Sequence, residues 1–290
     1  MNIIVTGSSG FIGRALVDKL KLNGHSVLPF DIDQGDITGP NSLDIFSMMH
    51  VQHVFHLAGK TFVPESWKNP ALFYQVNVMG TVETLRFCKD HRIPLTYISS
   101  YLYGKPEYLP IDERHPISAY NPYSHSKLSA EQIVRYFSEQ FSIPTTIFRP
   151  FNAYGPGQSA LFLIPEIVEM AMNPEIEVIE VNDLRPRRDY IYINDLVDAL
   201  ILSVSGEPGI YNIGSGYSTS VRELIHETLS LLHSDKPYRD RADERQNEIF
   251  DLYADISLAK SQLGWKPVTT ILEGLRTCIE FNHHNYEGEE

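Results

Sequence analysis

Apolar positions in the first half of the chain fall into short β-branched runs separated by stretches with helical spacing. Ile3-Ile4-Val5 stops at Thr6-Gly7 and predicts a buried strand, and Ala15, Leu16 and Leu20 then recur as on one face of a helix. Residues 26–30, 53–58, 95–100 and 145–148 read as further strands, and residues 71–89 as a long amphipathic helix. Leu128, Ile133, Val134 and Phe137 predict another helix. It opens at Asn121-Pro122, because proline is tolerated in a first turn. Strand and helix alternating from residue 1 to about 150 predict an α/β fold with a doubly wound, mostly parallel sheet, whose ligands sit at the strand carboxyl ends.

The alternation weakens after residue 150. Residues 177–181, 189–193 and 210–213 read as strands and 221–232 as a helix, with Asn194-Asp195 capping a helix through Leu202. Residues 233–252 read as polar loop with a short strand, and 256–263 as a short helix ended by Gly264. The expected division is a nucleotide-binding domain over 1–150, a smaller α/β substrate-binding domain over 151–282, and a frayed polar tail over 283–290.

Chemistry-bearing residues lie at the predicted strand ends. Gly7, Gly10 and Gly13 occupy a strand-to-helix turn, where they permit a sharp bend, close approach to a pyrophosphate and tight helix packing. Asp31 ends the second strand, suited to accept from adenosine ribose hydroxyls and to repel a 2′-phosphate, which points to NAD rather than NADP. Asp36, followed by Ile37, is placed to meet the adenine amine, and residues 57–58 to lie over the cofactor. Tyr123 and Lys127 stand four apart, one above the other on a helix face. A phenol with a pKa of about 10 is no base at neutral pH, but an adjacent ammonium favours the phenolate. His53 and His56 read as packing residues, since no carboxylate or thiolate cluster accompanies them; no metal site is expected.

Composition narrows the class. A formal net charge of −13 argues against nucleic-acid or anionic-membrane surfaces, so an anionic ligand needs placed arginines and backbone N–H groups. Cys88 and Cys278 are far apart, as expected of idle thiols in a reducing compartment. With no run of about 18 apolar residues and no basic, apolar leader, a cytoplasmic protein is expected.

Three motifs together carry a resemblance: Thr6-Gly7-Ser8-Ser9-Gly10-Phe11-Ile12-Gly13, the Tyr123/Lys127 pair, and Arg149-Pro150-Phe151-Asn152-Ala153-Tyr154-Gly155-Pro156-Gly157. From residue 1 to about 280 the chain resembles the extended short-chain dehydrogenase/reductases, in their nucleotide-sugar branch of 4-epimerases, 4,6-dehydratases and 4-keto-6-deoxyhexose reductases. The resemblance implies a Rossmann-type fold with NAD held by Gly7, Ser9, Gly10, Phe11, Ile12, Asp31, Asp36, Ile37, Leu57, Ala58, Ser99, Tyr123, Lys127 and Pro150. It implies Tyr123 as acid/base, Lys127 tuning it and binding the nicotinamide ribose, and Ser100 polarising the same substrate oxygen. The loop before Tyr103-Gly104 is one residue short of the family pattern. Counting from the strand selects Ser100, the assignment adopted, whereas counting back from Tyr103-Gly104 selects Ser99. Asn152, Arg188, Arg245 and Glu248 match positions that hold the nucleotide-sugar diphosphate and ribose, and a guanidinium fork suits phosphate. The dehydratases carry Asp-Glu where this chain has Tyr101-Leu102, which leaves elimination without an acid or base. A 4-epimerase on an NDP-hexose is therefore expected, with a 4-keto-6-deoxyhexose reductase as the alternative and a non-catalytic dinucleotide-binding regulator as the third reading. The resemblance also implies a homodimer through the helices around Asn77 and Tyr123.

Overall fold

A computed structural model describes residues 1–241 and 249–287. Six strands form one parallel sheet: β1 (Asn2–Thr6), β2 (Ser26–Phe30), β3 (His53–His56), β4 (Leu95–Ile98), β5 (Thr145–Pro150) and β6 (Ile210–Ile213). Their order is β6-β5-β4-β3-β1-β2. The chain leaves β1 for β2 on one side and then crosses to β3 on the other. A crevice therefore opens at the carboxyl ends of β1 and β3, the topological switch point of a doubly wound sheet.

The near-continuous apolar runs follow from burial on both faces. Along β1, Ile3 and Val5 face a cluster with Leu16, Val17 and Leu20 of α1 (Phe11–Leu22), while Ile4 faces the opposite cluster. That second cluster takes Leu85, Phe87 and Cys88 of α2 (Gly80–His91) with Ala130 and Val134 of α3 (Pro122–Phe141). Beyond β5, the short strands Asn152–Tyr154 and Tyr190–Tyr192 pair in parallel, and Arg187–Arg188 lies between Thr219–Ser220 and Asp251–Leu252.

Several expectations change. β3 and β4 end at His56 and Ile98, before the predicted strand ends; beyond β3 the N–H groups of Leu57 and Ala58 reach the Thr6 hydroxyl at 3.2 Å, and Leu57 N also donates to Thr6 O at 3.2 Å. The helix expected over 71–89 is three pieces, Pro70–Tyr74, a π-helical turn Gln75–Met79, and α2. Asn194 and Asp195 do not cap: the helix begins at Ile193, with Tyr192 as an N-cap that makes no side-chain bond. Asp195 is buried because its carboxylate accepts from Thr269 N at 2.9 Å and its carbonyl from Trp265 Nε1 at 2.9 Å. The last helix, Ile271–Glu287, continues into the segment read as a frayed tail.

Two glycines make the crevice possible. Gly7 has φ +68° and a Cβ there would lie 2.7 Å from Ala58 N; one on Gly13 would lie 2.0 Å from Gly7 O. Gly13→Ala is therefore expected to force the turn and α1 apart and to destabilise the fold by about 1–3 kcal/mol. The urea unfolding midpoint reads this directly.

Candidate active site

The glycine turn carries α1 into the crevice. Gly10 is the N-cap of α1 and makes no side-chain cap bond, so the first N–H groups of the helix are left for a ligand or water. Ser9 N donates to Asp31 Oδ2 at 2.8 Å and Ile32 N to Asp31 Oδ1 at 2.8 Å, which fixes that carboxylate beside the turn. Phe11 and Ile12 are half-buried in the first turn of α1. Arg14, which the sequence reading passed over, donates to Ser9 O at 2.7 Å and to Gly157 O at 3.3 Å, tying the turn to the Gly155-Pro156-Gly157 segment. Asp36 serves its own turn, accepting from Thr38 N and Oγ1 at 2.9 Å each, and Ile37 is a core residue packed at Gly80. Pro150 is buried at the end of β5.

Across the crevice, α3 presents the Tyr/Lys pair. A capping box fixes its first turn: Ser124 N donates to Asn121 Oδ1 at 2.8 Å and Asn121 N to Ser124 Oγ at 3.2 Å. Lys127 is buried, with Nζ donating to Ile98 O at 2.5 Å and lying 4.4 Å above the centre of the Tyr97 ring. Burial pulls the Lys127 pKa down to about 7, opposed by the Glu131 carboxylate. Burial pushes the Tyr123 phenol up from its ordinary value, and a side-chain hydrogen bond with Ser100 pulls it down. The sequence reading gave Lys127 that second effect; here Ser100 supplies it.

The two serines are thereby separated. Ser99 Oγ turns inward and donates to Glu131 Oε2 at 2.8 Å, with Ser99 buried. Ser100 is half-buried and stands close enough to Tyr123 to pull its phenol pKa down. Asn152 donates from Nδ2 to Asp189 O at 2.9 Å, and its Oδ1 accepts from Tyr101 OH at 3.2 Å. This brings Asn152 next to the Ser100 loop. Arg188, half-buried, donates from Nη1 to Arg187 O at 2.9 Å and to Ile249 O. Arg245 and Glu248 lie outside the described residues.

Buried polar residues with no chemical role assigned from sequence hold these parts. Asn77 sits in the π-helical turn, accepting from Lys60 N at 2.7 Å and donating to Ser126 Oγ at 2.8 Å, so it joins the loop after β3 to α3. Its only signal was an amide inside a helix interior. Asp189 accepts from Ser215 N at 2.6 Å, Ser215 Oγ at 2.7 Å, Gly216 N at 3.1 Å and Ala254 N at 3.1 Å, anchoring two loops. His56 bonds Thr6 Oγ1 at 2.8 Å and Thr81 Oγ1 at 3.0 Å, and burial holds its pKa down to about 3, a neutral core imidazole. Among the described residues no group of three His, Cys, Asp or Glu could hold a metal ion, and no helix is long and apolar enough to cross a membrane.

Comparison with known proteins agrees with this architecture. The profile of the NAD dependent epimerase/dehydratase family matches residues 3–214. A putative UDP-glucose 4-epimerase of Methanocaldococcus jannaschii is 29% identical, with 98% of this chain and 99% of that one covered. A GDP-6-deoxy-D-mannose reductase of Pseudomonas aeruginosa is 31% identical over 96% of this chain and 95% of its own. The crystal structure of UDP-glucose 4-epimerase from Bifidobacterium longum, in complex with NAD+ and UDP, superposes with a TM-score of 0.89 at 27% identity, covering 99% and 100% of the two chains.

The burial of Lys127 has a consequence for stability. In the folded protein it loses its proton near pH 7, in the unfolded chain only near its ordinary 10.5. Between these values the unfolded chain binds the extra proton, so stability rises with pH through that window. Melting temperatures of the wild type and Lys127→Met, taken from pH 6.5 to 9.5 without added cofactor, are expected to show this rise in the wild type and a flatter profile in the variant.

Proposed function

The chain is a member of the NAD-dependent epimerase/dehydratase family, and on that premise we propose that it is an NDP-hexose 4-epimerase. The observation that carries the reading is the capped start of α3, which sets Tyr123 one turn from buried Lys127 across a crevice shaped by Gly7 and Gly13. The residues of that crevice fit a dinucleotide. The uncapped start of α1 suits the pyrophosphate, the absence of Cβ atoms lets backbone approach it, and the fixed Asp31 carboxylate suits a ribose diol. When bound, NAD supplies an acceptor that takes a hydride from C4 and gives it back.

The chain's own residues do the rest. Tyr123 takes the proton of the C4 hydroxyl and later returns it, and Ser100 holds the same oxygen. Lys127, one turn on from Tyr123, binds the nicotinamide ribose. The Rossmann residues named above line the cofactor, Ser99 through its backbone because its hydroxyl is held by Glu131, with residues 1–150 as its domain and 151–282 mainly the substrate's. Asn152, Arg188, Arg245 and Glu248 grip the diphosphate and nucleoside of a nucleotide sugar. Tyr101 and Leu102 follow Ser100 directly and offer no carboxylate for elimination, so water loss from C5 and C6 is not among its reactions. The protein works in the cytoplasm, in carbohydrate metabolism, as a homodimer through the helices around Asn77 and Tyr123, whose exposed Tyr74, Met79, Tyr136 and Phe141 support such a contact.

The 31% identity to a reductase supports a second reading, single hydride delivery to a 4-keto-6-deoxy sugar. Cofactor retention separates the two. Denaturing the purified protein is expected to release near-stoichiometric NAD, because an epimerase regenerates its cofactor in every cycle; an empty site that takes up reduced cofactor only on addition points to the reductase. Tyr123→Phe is expected to bind NAD normally and to interconvert UDP-glucose and UDP-galactose about 10²–10⁴-fold more slowly. Full turnover in that variant would remove Tyr123 from the mechanism.

A further inference from the structure

We propose that the buried Glu131–Arg149 ion pair is a positioning device for Ser100, fastened to both ends of the short loop that carries it. The proposal rests on the reading of Ser100 and Tyr123 as the reacting pair. Both side chains are only 2% exposed. Glu131 Oε2 accepts from Ser99 Oγ at 2.8 Å and from Arg149 Nε at 3.1 Å, and Oε1 accepts from Arg149 Nη2. Arg149 Nη1 then donates to Tyr103 OH at 3.0 Å, and that hydroxyl donates to Asn212 Oδ1 of β6 at 2.5 Å. Ser99 immediately precedes Ser100, and Tyr103 closes the loop after Tyr101 and Leu102. One half of the pair therefore holds the start of the loop and the other half its end.

The geometry gives the pair a purpose that stability does not. A buried ion pair repays its desolvation poorly, and apolar residues of equal volume often serve a core as well. What it adds here is register. Ser99 N keeps a ladder bond to Phe148 O at 2.8 Å, so side chains there still alternate as in a strand, and drawing Ser99 inward to Glu131 turns Ser100 to the opposite side. Glu131 also stands on the same helix as Tyr123, with Lys127 midway between them at four-residue steps. The residue whose carboxylate fixes the loop and the residue whose phenol the loop must meet are thus set about 12 Å apart along the axis of one rigid rod. The loop is one residue shorter than the family pattern, so it has less slack, and its two anchors set where Ser100 stands. Glu131 and Arg149 act through Ser100 and touch no reacting atom.

Glu131→Gln is the obvious variant, but it strips a buried guanidinium of its counter-charge, and unfolding would mask positioning. Ser99→Ala and Tyr103→Phe cut one anchor each and leave the ion pair whole. Each is to be assayed with UDP-glucose in the wild-type and Ser100→Ala backgrounds. In the wild-type background each anchor variant is expected to lower kcat roughly 10- to 100-fold with KM little changed; in the Ser100→Ala background, neither lowers it further. A structural role would lower activity by the same factor in both backgrounds, and that result overturns the proposal, as does full kcat in the single variants. A second readout needs no substrate. With the ring carbon bearing the hydroxyl labelled in tyrosine, and Tyr123 assigned by its loss in Tyr123→Phe, NMR titration gives the phenol pKa. Ser99→Ala is expected to raise it in step with Ser100→Ala, and a Tyr123 titration that ignores Ser99→Ala overturns the inference. A wild type that turns over no nucleotide sugar would sink the proposed function while the phenol titration still decides the positioning role.

Discussion

Backbone must pass backbone with nothing between, and the rest of this molecule is arranged around that contact. At the carboxyl ends of β1 and β3, Gly7 lies where a single added carbon would meet Ala58, and Gly13 lies where one would meet Gly7. The close approach draws α1 tightly over the sheet and leaves its first N–H groups facing the crevice without a cap. Thr6 then ties the two strand ends together, its hydroxyl accepting from Leu57 and Ala58 while also meeting His56. These donors are thereby satisfied at the switch point of the sheet, where a doubly wound fold takes its ligand.

The far wall of that opening is electrostatic rather than steric. Lys127 is buried against Tyr97 and the Ile98 carbonyl, and Glu131 and Arg149 continue the line of charge away from the crevice. Alternating sign along one direction lets each group compensate the desolvation of the next. Tyr123 stands at the open end of this line, where its own burial disfavours the phenolate and a neighbouring hydroxyl favours it. Positive charge arriving in the crevice would act on the phenol in the same sense as Ser100 does.

Much of this was legible in the sequence because it depends on local rules. The β-branched runs, the three glycines and the Asn121-Pro122 helix start each specify their own structure within a few residues, and the sheet and α3 follow from them. Less was legible wherever a side chain answers to a distant partner. Asn194 and Asp195 look like caps, but Asp195 is claimed by Thr269 and Trp265. Ser99 and Ser100 are equivalent as letters, and only Glu131, 32 residues further on, separates them. Asp189 directly follows Arg188, yet its four donors come from loops that no spacing rule connects to it.

The π-helical turn at Gln75–Met79 acts as a phase adjuster. A regular helix advances by about 100° per residue, and a wider turn absorbs one residue without lengthening the axis by a full step. Because of that extra residue, the helix before it and α2 after it can each show the core an independent face. Upstream, Phe73 is fully buried, edge-on to the Tyr123 ring at 6.4 Å, while Tyr74 is exposed; downstream, Leu85, Phe87 and Cys88 are buried. Removing one residue from the turn would give a straighter helix and put the two faces out of step. Phe73 would rotate away from the phenol that it now braces. The irregularity is what lets a single helical rod be indexed to the sheet core at one end and to the Tyr123 ring at the other.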